Sequence, residues 1–344
     1  MARNAAGEAE SGPLRLEFDR SVKMEFRGSA ISSDGGLLLH RELDDALGLS
    51  DMAAGLLSDM RTGLNGRHRL PGFLRQSVFS RLAGYEDVND ADRLSRDPVM
   101  RQLVGGRAIK DSAASASTMG RFETEMLTQP ENLAALVDLP GRWIDAMHDK
   151  RPPKVITLDM DSSESPVHGD QEGSAWNGHF QKKCLHPLFV FNQFGDLERC
   201  ALRPGNVHSA DGWEAVLTPV LARYSAEARP SIIRRRFRAD AAFAIPALFD
   251  LLEAEGWYYA IRIKGNSKLN ERVDWLTKRR PGRPPNHVVR LYTSFHHRAE
   301  SWSKARRIVA KDEFHPGDLF PTVGFIVTNQ SLPNERVLTF YNGR

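Results

Sequence analysis

Residues 155–161 read Val-Ile-Thr-Leu-Asp-Met-Asp, and residues 232–240 read Ile-Ile-Arg-Arg-Arg-Phe-Arg-Ala-Asp. Each stretch is a short apolar segment that runs into an acidic residue, which predicts a buried strand with a carboxylate at its C-terminal end. Because side chains alternate along a strand, Asp159 and Asp161 are expected on one face. Acids at the ends of neighbouring strands indicate a divalent-cation site, since hard cations prefer carboxylate oxygens held by a rigid sheet.

The segments around these two stretches predict an α/β fold. Residues 188–202 have the pattern of a hairpin with a glycine-containing turn, and residues 210–224 that of a helix. After Asp240 the sequence predicts a helix and then the apolar strand 257–263, which completes a β-α-β unit. By analogy, the order strand, hairpin, helix, strand, helix, strand is that of a ribonuclease-H-like sheet.

The rest of the chain differs in pattern from this core. Residues 1–30 are polar and are expected to form an N-terminal arm, whereas the apolar residues of 31–150 recur at helical spacing and predict a mainly α-helical domain. The core is predicted over 151–264, and a basic, β-rich insertion over 265–340. The strand candidates within the insertion are residues 304–309, 322–328 and 336–341.

Composition excludes several classes of protein. The chain has 344 residues, of which 41% are hydrophobic and 26% charged, as in folded proteins of ordinary composition. No apolar run approaches the roughly 18 residues needed to span a bilayer, and the N-terminus lacks the apolar core of a secretion signal. The two cysteines, Cys184 and Cys200, fit neither a disulfide framework nor a zinc knuckle, which favours a cytoplasmic location.

The formal net charge of +3 hides a strongly basic region. Residues 231–311 contain 18 lysines and arginines against 7 acidic residues, which indicates a polyanionic partner, although a solvated basic face is the alternative. The arginine-proline run 278–285 is suited to a DNA minor groove or is a plain loop. Trp302 and Phe295, among the basic residues that follow, are suited to stacking on a base or are core residues.

The acidic residues allow more than one interpretation. Asp161 and Asp240 are the predicted metal ligands, and the alternative is that each only caps the element that follows it. Asp159 is a further candidate, as a third ligand, a residue that tunes Asp161, or the true first ligand. His168 and Glu172 lie in a glycine-rich turn close behind and are weaker candidates. Zinc is disfavoured, because the spacing of the nearby histidines and Cys184 matches no zinc motif.

Several ordered motifs resemble one known family. Residues 158–161 read Leu-Asp-Met-Asp, residues 168–173 read His-Gly-Asp-Gln-Glu-Gly, and residues 238–243 read Arg-Ala-Asp-Ala-Ala-Phe. In the helical part, residues 83–90 and 117–123 also match. Together these motifs resemble the DDE transposases of bacterial insertion sequences, and the resemblance covers nearly the whole chain.

The resemblance implies a ribonuclease-H-like core in which two aspartates and a glutamate hold two Mg²⁺ ions, with Mn²⁺ as a substitute. Asp161 matches the first aspartate and Asp240 the second. The glutamate is expected in a helix that reads Tyr-x-x-Arg-x-x-x-Glu, and Tyr341 and Arg344 match its first half. Residues 341–344 are therefore predicted to begin a helix that is cut short, and we expect the chain as given to have little or no transposition activity.

The resemblance also implies the partners. The expected partner is double-stranded DNA, as the terminal inverted repeats of the element and as target, bound by a homo-oligomer in the bacterial cytoplasm at the nucleoid. The helical domain is expected to bind element ends or a second protomer. The alternatives are a catalytically inactive DNA-binding remnant and a metal-dependent nuclease. The predicted DNA-binding residues are Lys264, Arg279, Arg280, Arg283, Arg306, Arg307, Tyr341 and Arg344.

Overall fold

The structure is a computed structural model that describes residues 14–15, 23–24, 32–61, 66–278 and 286–344. The chain divides into two compact units, residues 1–133 and residues 134–344. The predicted boundary at residue 150 differs from this division, because one long helix, α7, spans Pro130–Lys150 and lies mostly in the second unit. In the second unit, ion pairs from Asp138 to Arg199 and from Asp145 to Arg223 hold α7.

The described residues of the first unit form helices and one pair of two-residue strands. Asp97 caps α5 by accepting hydrogen bonds from the backbone N–H groups of Val99 and Met100, at 2.8 and 2.9 Å. Gly48 adopts φ +75°, which ends α1 and begins α2. The elements are β1 (Leu14–Arg15), β2 (Lys23–Met24), α1 (Leu37–Leu47), α2 (Leu49–Leu56), α3 (Leu70–Leu82), α4 (Ala91–Leu94), α5 (Pro98–Val104) and α6 (Ala116–Arg121), followed by a π-helical segment at Phe122–Met126.

The second unit is built on an eight-stranded mixed sheet with the order β11-β12-β13-β10-β9-β3-β7-β8. Its centre is parallel, because β9 pairs in parallel with both β3 and β10, and the other pairs are antiparallel. This arrangement confirms the α/β class. The strands are β3 (Val155–Ser162), β7 (Leu188–Asn192), β8 (Leu197–Ala201), β9 (Arg234–Ala239), β10 (Tyr258–Ile263), β11 (Val289–His297), β12 (Arg306–Phe314) and β13 (Thr322–Thr328).

Helices cover both faces of this sheet. On one face, Leu158 and Phe237 are fully buried in the main core beneath α8 (Trp213–Arg223), α9 (Pro246–Ala254) and α10 (Ser267–Thr277). On the other face, Ala260 and Val309 pack against Val337 of α11 (Asn334–Asn342). Ile261 and Ala260 of β10 are therefore buried on opposite faces of the sheet.

A small three-stranded sheet follows β3. It consists of β4 (Ser165–Pro166), β5 (Ala175–Asn177) and β6 (Lys182–Leu185), in the order β4-β6-β5. Gly205 lies directly against this sheet, and its carbonyl oxygen accepts a hydrogen bond of 2.6 Å from Asn177 Nδ2. A Cβ atom at Gly205 would lie within 2.5 Å of the Ala175 carbonyl oxygen and closer still to that of Cys184. The close approach of three backbone segments therefore requires glycine.

The region predicted as a β-rich insertion is only partly as expected. The strands predicted at 304–309 and 322–328 are confirmed as β12 and β13, and they extend the main sheet through β10. The strand predicted at 336–341 is wrong, because those residues form α11. Pro333 sets the start of this helix, and Val337, Leu338 and Tyr341 lie at helical spacing on its buried face.

The close approach at Gly205 gives a first prediction. Gly205→Ala should destabilise the second unit by about 3 kcal/mol or more, because the methyl group meets backbone atoms that cannot move without disrupting the small sheet. The matched control is Gly324→Ala in β13, where an added Cβ has no neighbour within 4 Å. Denaturant unfolding of both variants checks this, and equal stabilities would contradict it.

Asp312 in β12 is a buried acid without a partner. The residue has no exposed surface, and neither carboxylate oxygen has a hydrogen-bond partner in the described part of the chain. Burial raises the pKa of Asp312 to about 6, because the charged form loses its hydration. The folded protein therefore binds a proton at this site over a pH range where the unfolded chain does not.

This acid predicts a pH-dependent stability. The unfolded-state pKa of an aspartate is about 3.9, so between about pH 4 and pH 6 the folded state holds more protons, and stability falls as pH rises through that range. Asp312→Asn should remove this loss and make the protein about 2 to 3 kcal/mol more stable than wild type at pH 7.5, but not at pH 4. Urea unfolding at a series of pH values measures the difference, and parallel pH profiles would contradict the prediction.

Candidate active site

Asp161 and Asp240 lie at the C-terminal ends of two adjacent parallel strands. Asp159 of β3 is paired in register with Arg238 of β9, so the next step of the same alternation places Asp161 beside Asp240. Paired residues on neighbouring parallel strands present their side chains to the same face of the sheet. Arg238 is in turn paired with Ala260, which packs beneath α11. Both carboxylates therefore belong to the face of the sheet that α11 covers.

Arg238 holds this edge of the sheet together. Its Nε and Nη2 donate hydrogen bonds of 2.6 Å to the two oxygens of Asp159, and its Nη1 donates one of 2.8 Å to the Phe340 carbonyl oxygen in α11. The Arg238 side chain is only 7% exposed. Both oxygens of Asp159, a predicted metal ligand, thus accept hydrogen bonds from the Arg238 guanidinium, and Asp159 holds Arg238 in position.

Asp161 and Asp240 keep more of their carboxylate oxygens accessible. Asp161 is 55% exposed; its Oδ1 accepts a hydrogen bond from the Ser162 N–H, and its Oδ2 forms an ion pair with Arg344. Asp240 Oδ1 accepts a 2.9 Å hydrogen bond from the Ala242 N–H and so caps the short 3₁₀ turn that follows. The capping role that was the alternative for Asp240 is present, but Asp240 Oδ2 has no hydrogen-bond partner among the residues that the structure describes.

The donor set is compatible with a hard divalent cation. Two carboxylates that share one edge and one face supply the oxygen ligands that Mg²⁺ takes together with water and substrate phosphate. Within the described ranges no group of three or more His, Cys, Asp or Glu side chains is arranged to hold a metal ion. His168 and Glu172 are both exposed in the connection between β4 and β5 and do not complete such a group.

Basic residues flank the aspartates on the next strand. β10 is parallel to β9 with Ile261 opposite Ala239, so Arg262 lies beside Asp240. Arg262 and the predicted DNA-binding residue Lys264 are both exposed. Positive charge is therefore placed at the same edge of the sheet as the two carboxylates, where it would offset the charge of a phosphate.

Arg306, a predicted DNA-binding residue, is buried in this structure, and its binding of DNA stays a prediction. Its side chain is 2% exposed and forms ion pairs with Asp250 and Glu253 of α9. Its guanidinium also packs on the ring of Trp302, which is itself 8% exposed and belongs to the main core. Trp302 is therefore a core residue, and Phe295 packs against the same core.

The other predicted DNA-binding residues have varied environments. Arg307 donates hydrogen bonds to the carbonyl oxygens of Gln330 and Leu332 and is half-buried. Tyr341 packs against the apolar cluster under α11, and Arg344 contacts Asp161. Three predicted DNA-binding residues lie outside the described residues, namely Arg279, Arg280 and Arg283.

Sequence reasoning missed two residues that the structure brings to this site, Arg238 and Arg262. A signal for Arg238 was available, because it precedes Asp240 by two residues and therefore shares its face of β9. Arg262 could be recognised only once the register between β9 and β10 was known.

A comparison with protein-family models agrees with this geometry. The model described as transposase DDE domain, group 1, matches residues 14–344. The chain belongs to this family. The resemblance inferred from the short motifs is thereby confirmed, and membership of a DDE transposase family implies that the protein binds DNA. No curated protein matches the chain.

This DDE transposase shows no helix long and apolar enough to cross a membrane in the parts of the chain that the structure describes.

The ion pair between Arg238 and Asp159 gives a prediction for this DDE transposase. Arg238→Met should lower the free energy of unfolding by about 3 kcal/mol, because it leaves the 17% exposed Asp159 carboxylate without its partner. Arg234→Met, on the same strand but exposed, is the matched control and should change stability little. If Asp159→Asn does not recover part of the loss in the Arg238→Met background, the ion pair is not the cause. Denaturant unfolding of wild type and the three variants measures both effects.

Proposed function

We propose that this protein is a DNA transposase that cleaves and transfers DNA strands with Asp161 and Asp240 as its metal-binding carboxylates. One observation carries the proposal: the β3–β9 register pairs Asp159 with Arg238 and Met160 with Ala239, and Asp161 and Asp240 are the next residues along the two strands. The segment β8-β7-β3-β9-β10 of the sheet supports a ribonuclease-H-like core, because the antiparallel hairpin β7–β8 adjoins three parallel strands there. The family match supports the reaction class.

The proposed metal is Mg²⁺, with two ions in a complete site and Mn²⁺ as a substitute. Asp161 and Asp240 would hold it, because both present carboxylate oxygens beside each other and Asp240 Oδ2 is free of other bonds among the described residues. A bound divalent ion supplies charge neutralisation at a phosphate and activation of water. We assign Asp159 to holding Arg238 rather than the metal, because both its oxygens are bonded.

The residues of the chain itself would position the DNA. Arg262 and Lys264 are exposed beside the aspartates and can hold a phosphate at the sheet edge. Arg344, now paired with Asp161, is placed to move from the carboxylate to a phosphate. With the scissile phosphate so held, water would attack phosphorus in line, the bond from phosphorus to the 3′-oxygen would break, and that oxygen would leave as a 3′-hydroxyl. The 3′-hydroxyl would then lose its proton and attack a phosphate of the target, forming a new phosphodiester bond as the bond from that phosphorus to the target's own 3′-oxygen breaks.

Several finer expectations accompany this proposal. We propose that the protein works as a homo-oligomer on the terminal repeats of its element, in the bacterial cytoplasm at the nucleoid. That these 344 residues alone have little activity remains a prediction. The alternatives are a DNA-binding protein without catalysis and a metal-dependent nuclease that hydrolyses DNA without joining it.

A cleavage assay tests the assignment of the aspartates. With Mg²⁺ and duplexes that carry element ends, Asp161→Asn and Asp240→Asn should each lower the cleavage rate by at least about a hundredfold, since each removes a metal ligand. Glu227→Gln, at an exposed carboxylate in the loop after α8, is the control and should retain the wild-type rate.

The outcomes separate the alternatives. Cleavage that survives both substitutions would overturn the assignment of the aspartates. If a chain extended beyond Arg344 also shows no cleavage while its DNA binding is intact, the non-catalytic protein is favoured. Cleavage without joining, when 3′-hydroxyl ends and target DNA are supplied, would favour the nuclease. An assay of a chain extended beyond Arg344 alongside this one tests the expectation of low activity.

A further inference from the structure

The helical unit contains an arginine-lined groove with a volume of about 900 Å³. Its lining includes Arg61, Arg67, Arg93 and Arg96, and the one carboxylate among the described lining residues is that of Asp92. Asp92 Oδ1 accepts a 2.8 Å hydrogen bond from the Ala116 N–H, so part of its bonding capacity is taken up by the backbone. The groove therefore presents mainly positive charge. We call it the arginine groove.

The walls of the arginine groove are rigid. Gln76, which is 1% exposed, donates a hydrogen bond to the carbonyl oxygen of Ala114 and accepts one from its N–H, at 2.7 and 2.8 Å. The Ala113 N–H donates to the Ser95 carbonyl oxygen at 2.9 Å. These buried bonds fix the loop after α4 against the segment before α6, so the groove is formed before any ligand arrives.

Aspartates outside the groove orient two of its arginines. Asp59 receives two hydrogen bonds from Arg61, and Asp111 forms an ion pair with Arg67, yet neither aspartate is among the residues that line the groove. Arg61 also lies 4.8 Å from the centre of the Phe73 ring. Because these contacts already hold the two arginines in place, the arginines lose less conformational freedom when they bind a ligand.

The other two arginines are more available. Arg93 is 68% exposed and packs over the Tyr85 ring at 4.8 Å, and its nearest carboxylate, Asp90, is 3.9 Å away. Arg96 is exposed and forms no ion pair with any described residue. Exposed cations without close counterions are better suited to binding a polyanion from solution than to stabilising the fold.

The pKa of His68 is lowered by burial and by the positive charge of two arginines that line the groove. Burial is the largest cause that lowers the pKa of His68 below its ordinary value, and the nearby Arg67 and Arg61 lower it further, while Asp111 opposes them. His68 therefore remains neutral near pH 7 in the free protein, and an anion bound in the arginine groove would raise its pKa.

We propose that the arginine groove binds the phosphate backbone of duplex DNA, at a site distinct from Asp161 and Asp240. Its volume exceeds that of a single phosphate, and its four arginines offer donors for several phosphate groups in succession. This inference rests on the proposed function only in taking DNA as the partner. It assigns to the helical unit a share of DNA affinity that the catalytic aspartates do not contribute.

Binding measurements on the full chain test the inference. The probe is a short fluorescein-labelled DNA duplex of arbitrary sequence, titrated without divalent metal at several salt concentrations. Arg93→Ala combined with Arg96→Ala should weaken binding roughly tenfold at physiological salt and lower the slope of log affinity against log salt by about 2, one unit for each lost phosphate contact. The matched control combines Arg107→Ala with Arg121→Ala, two exposed arginines of the same unit that do not line the groove.

The outcomes are distinct from those of the cleavage assay. Equal losses in the groove and control variants, or no loss in either, would overturn the inference. A failure of the proposed function would appear as absent cleavage, whereas a failure of this inference would appear as equal binding by the groove and control variants, so the two failures can be told apart. NMR titration of His68 with and without DNA tests whether DNA occupies the arginine groove. A rise in the pKa of His68 supports this, and an unchanged pKa at full binding would mean that DNA binds elsewhere. Equal melting temperatures of the variants establish that all remain folded.

Discussion

The parallel pairing of β3 with β9 is the constraint on which the active site depends. Side chains alternate along a strand, so a slip of one residue would move Asp161 from the face under α11 to the core face and would move Leu158 out of the core. The bidentate bond between Arg238 and Asp159 opposes such a slip, because these two residues are register partners and a planar guanidinium matches a carboxylate in only one alignment. The position of Asp161 beside Asp240 follows from that alignment.

The same arginine connects the sheet to α11. Arg238 donates to the carbonyl oxygen of Phe340 and lies 5.2 Å from the centre of the Phe340 ring, so the C-terminal helix is fixed relative to the strand that carries Asp240. This attachment brings Arg344 to Asp161. A cation at Asp161 must compete with this guanidinium, and a phosphate that draws Arg344 away would favour cation binding. If Asp161 holds the metal as proposed, this one side chain would couple substrate binding to metal binding.

The sequence predicts those parts of the fold whose signal is local. Strands β3 and β10 are largely apolar runs between turn signals, β9 combines four arginines with the buried Phe237 and Ala239, and residues 322–328 are confirmed as β13. The strand predicted at residues 336–341 is wrong because a short apolar segment fits the periodicity of a helix as well as that of a strand. The packing of Val337 against the sheet, which the local sequence does not reveal, is made by a helix. The Asp159–Arg238 ion pair joins residues 79 positions apart, so neither alternation nor composition reveals it.

Charge shows most clearly what a sequence leaves open. The excess of lysine and arginine in residues 231–311 indicates a polyanion, yet several of these residues have internal roles: Arg235 bonds backbone carbonyl oxygens, Arg238 holds Asp159, and Arg306 is buried against Asp250 and Glu253. In the helical unit, by contrast, arginines far apart in sequence converge on one groove. DNA binds to basic side chains that are exposed to solvent, and burial and ion pairing determine which side chains those are. The density of basic residues along a chain is therefore a poor measure of where its DNA-binding surface lies.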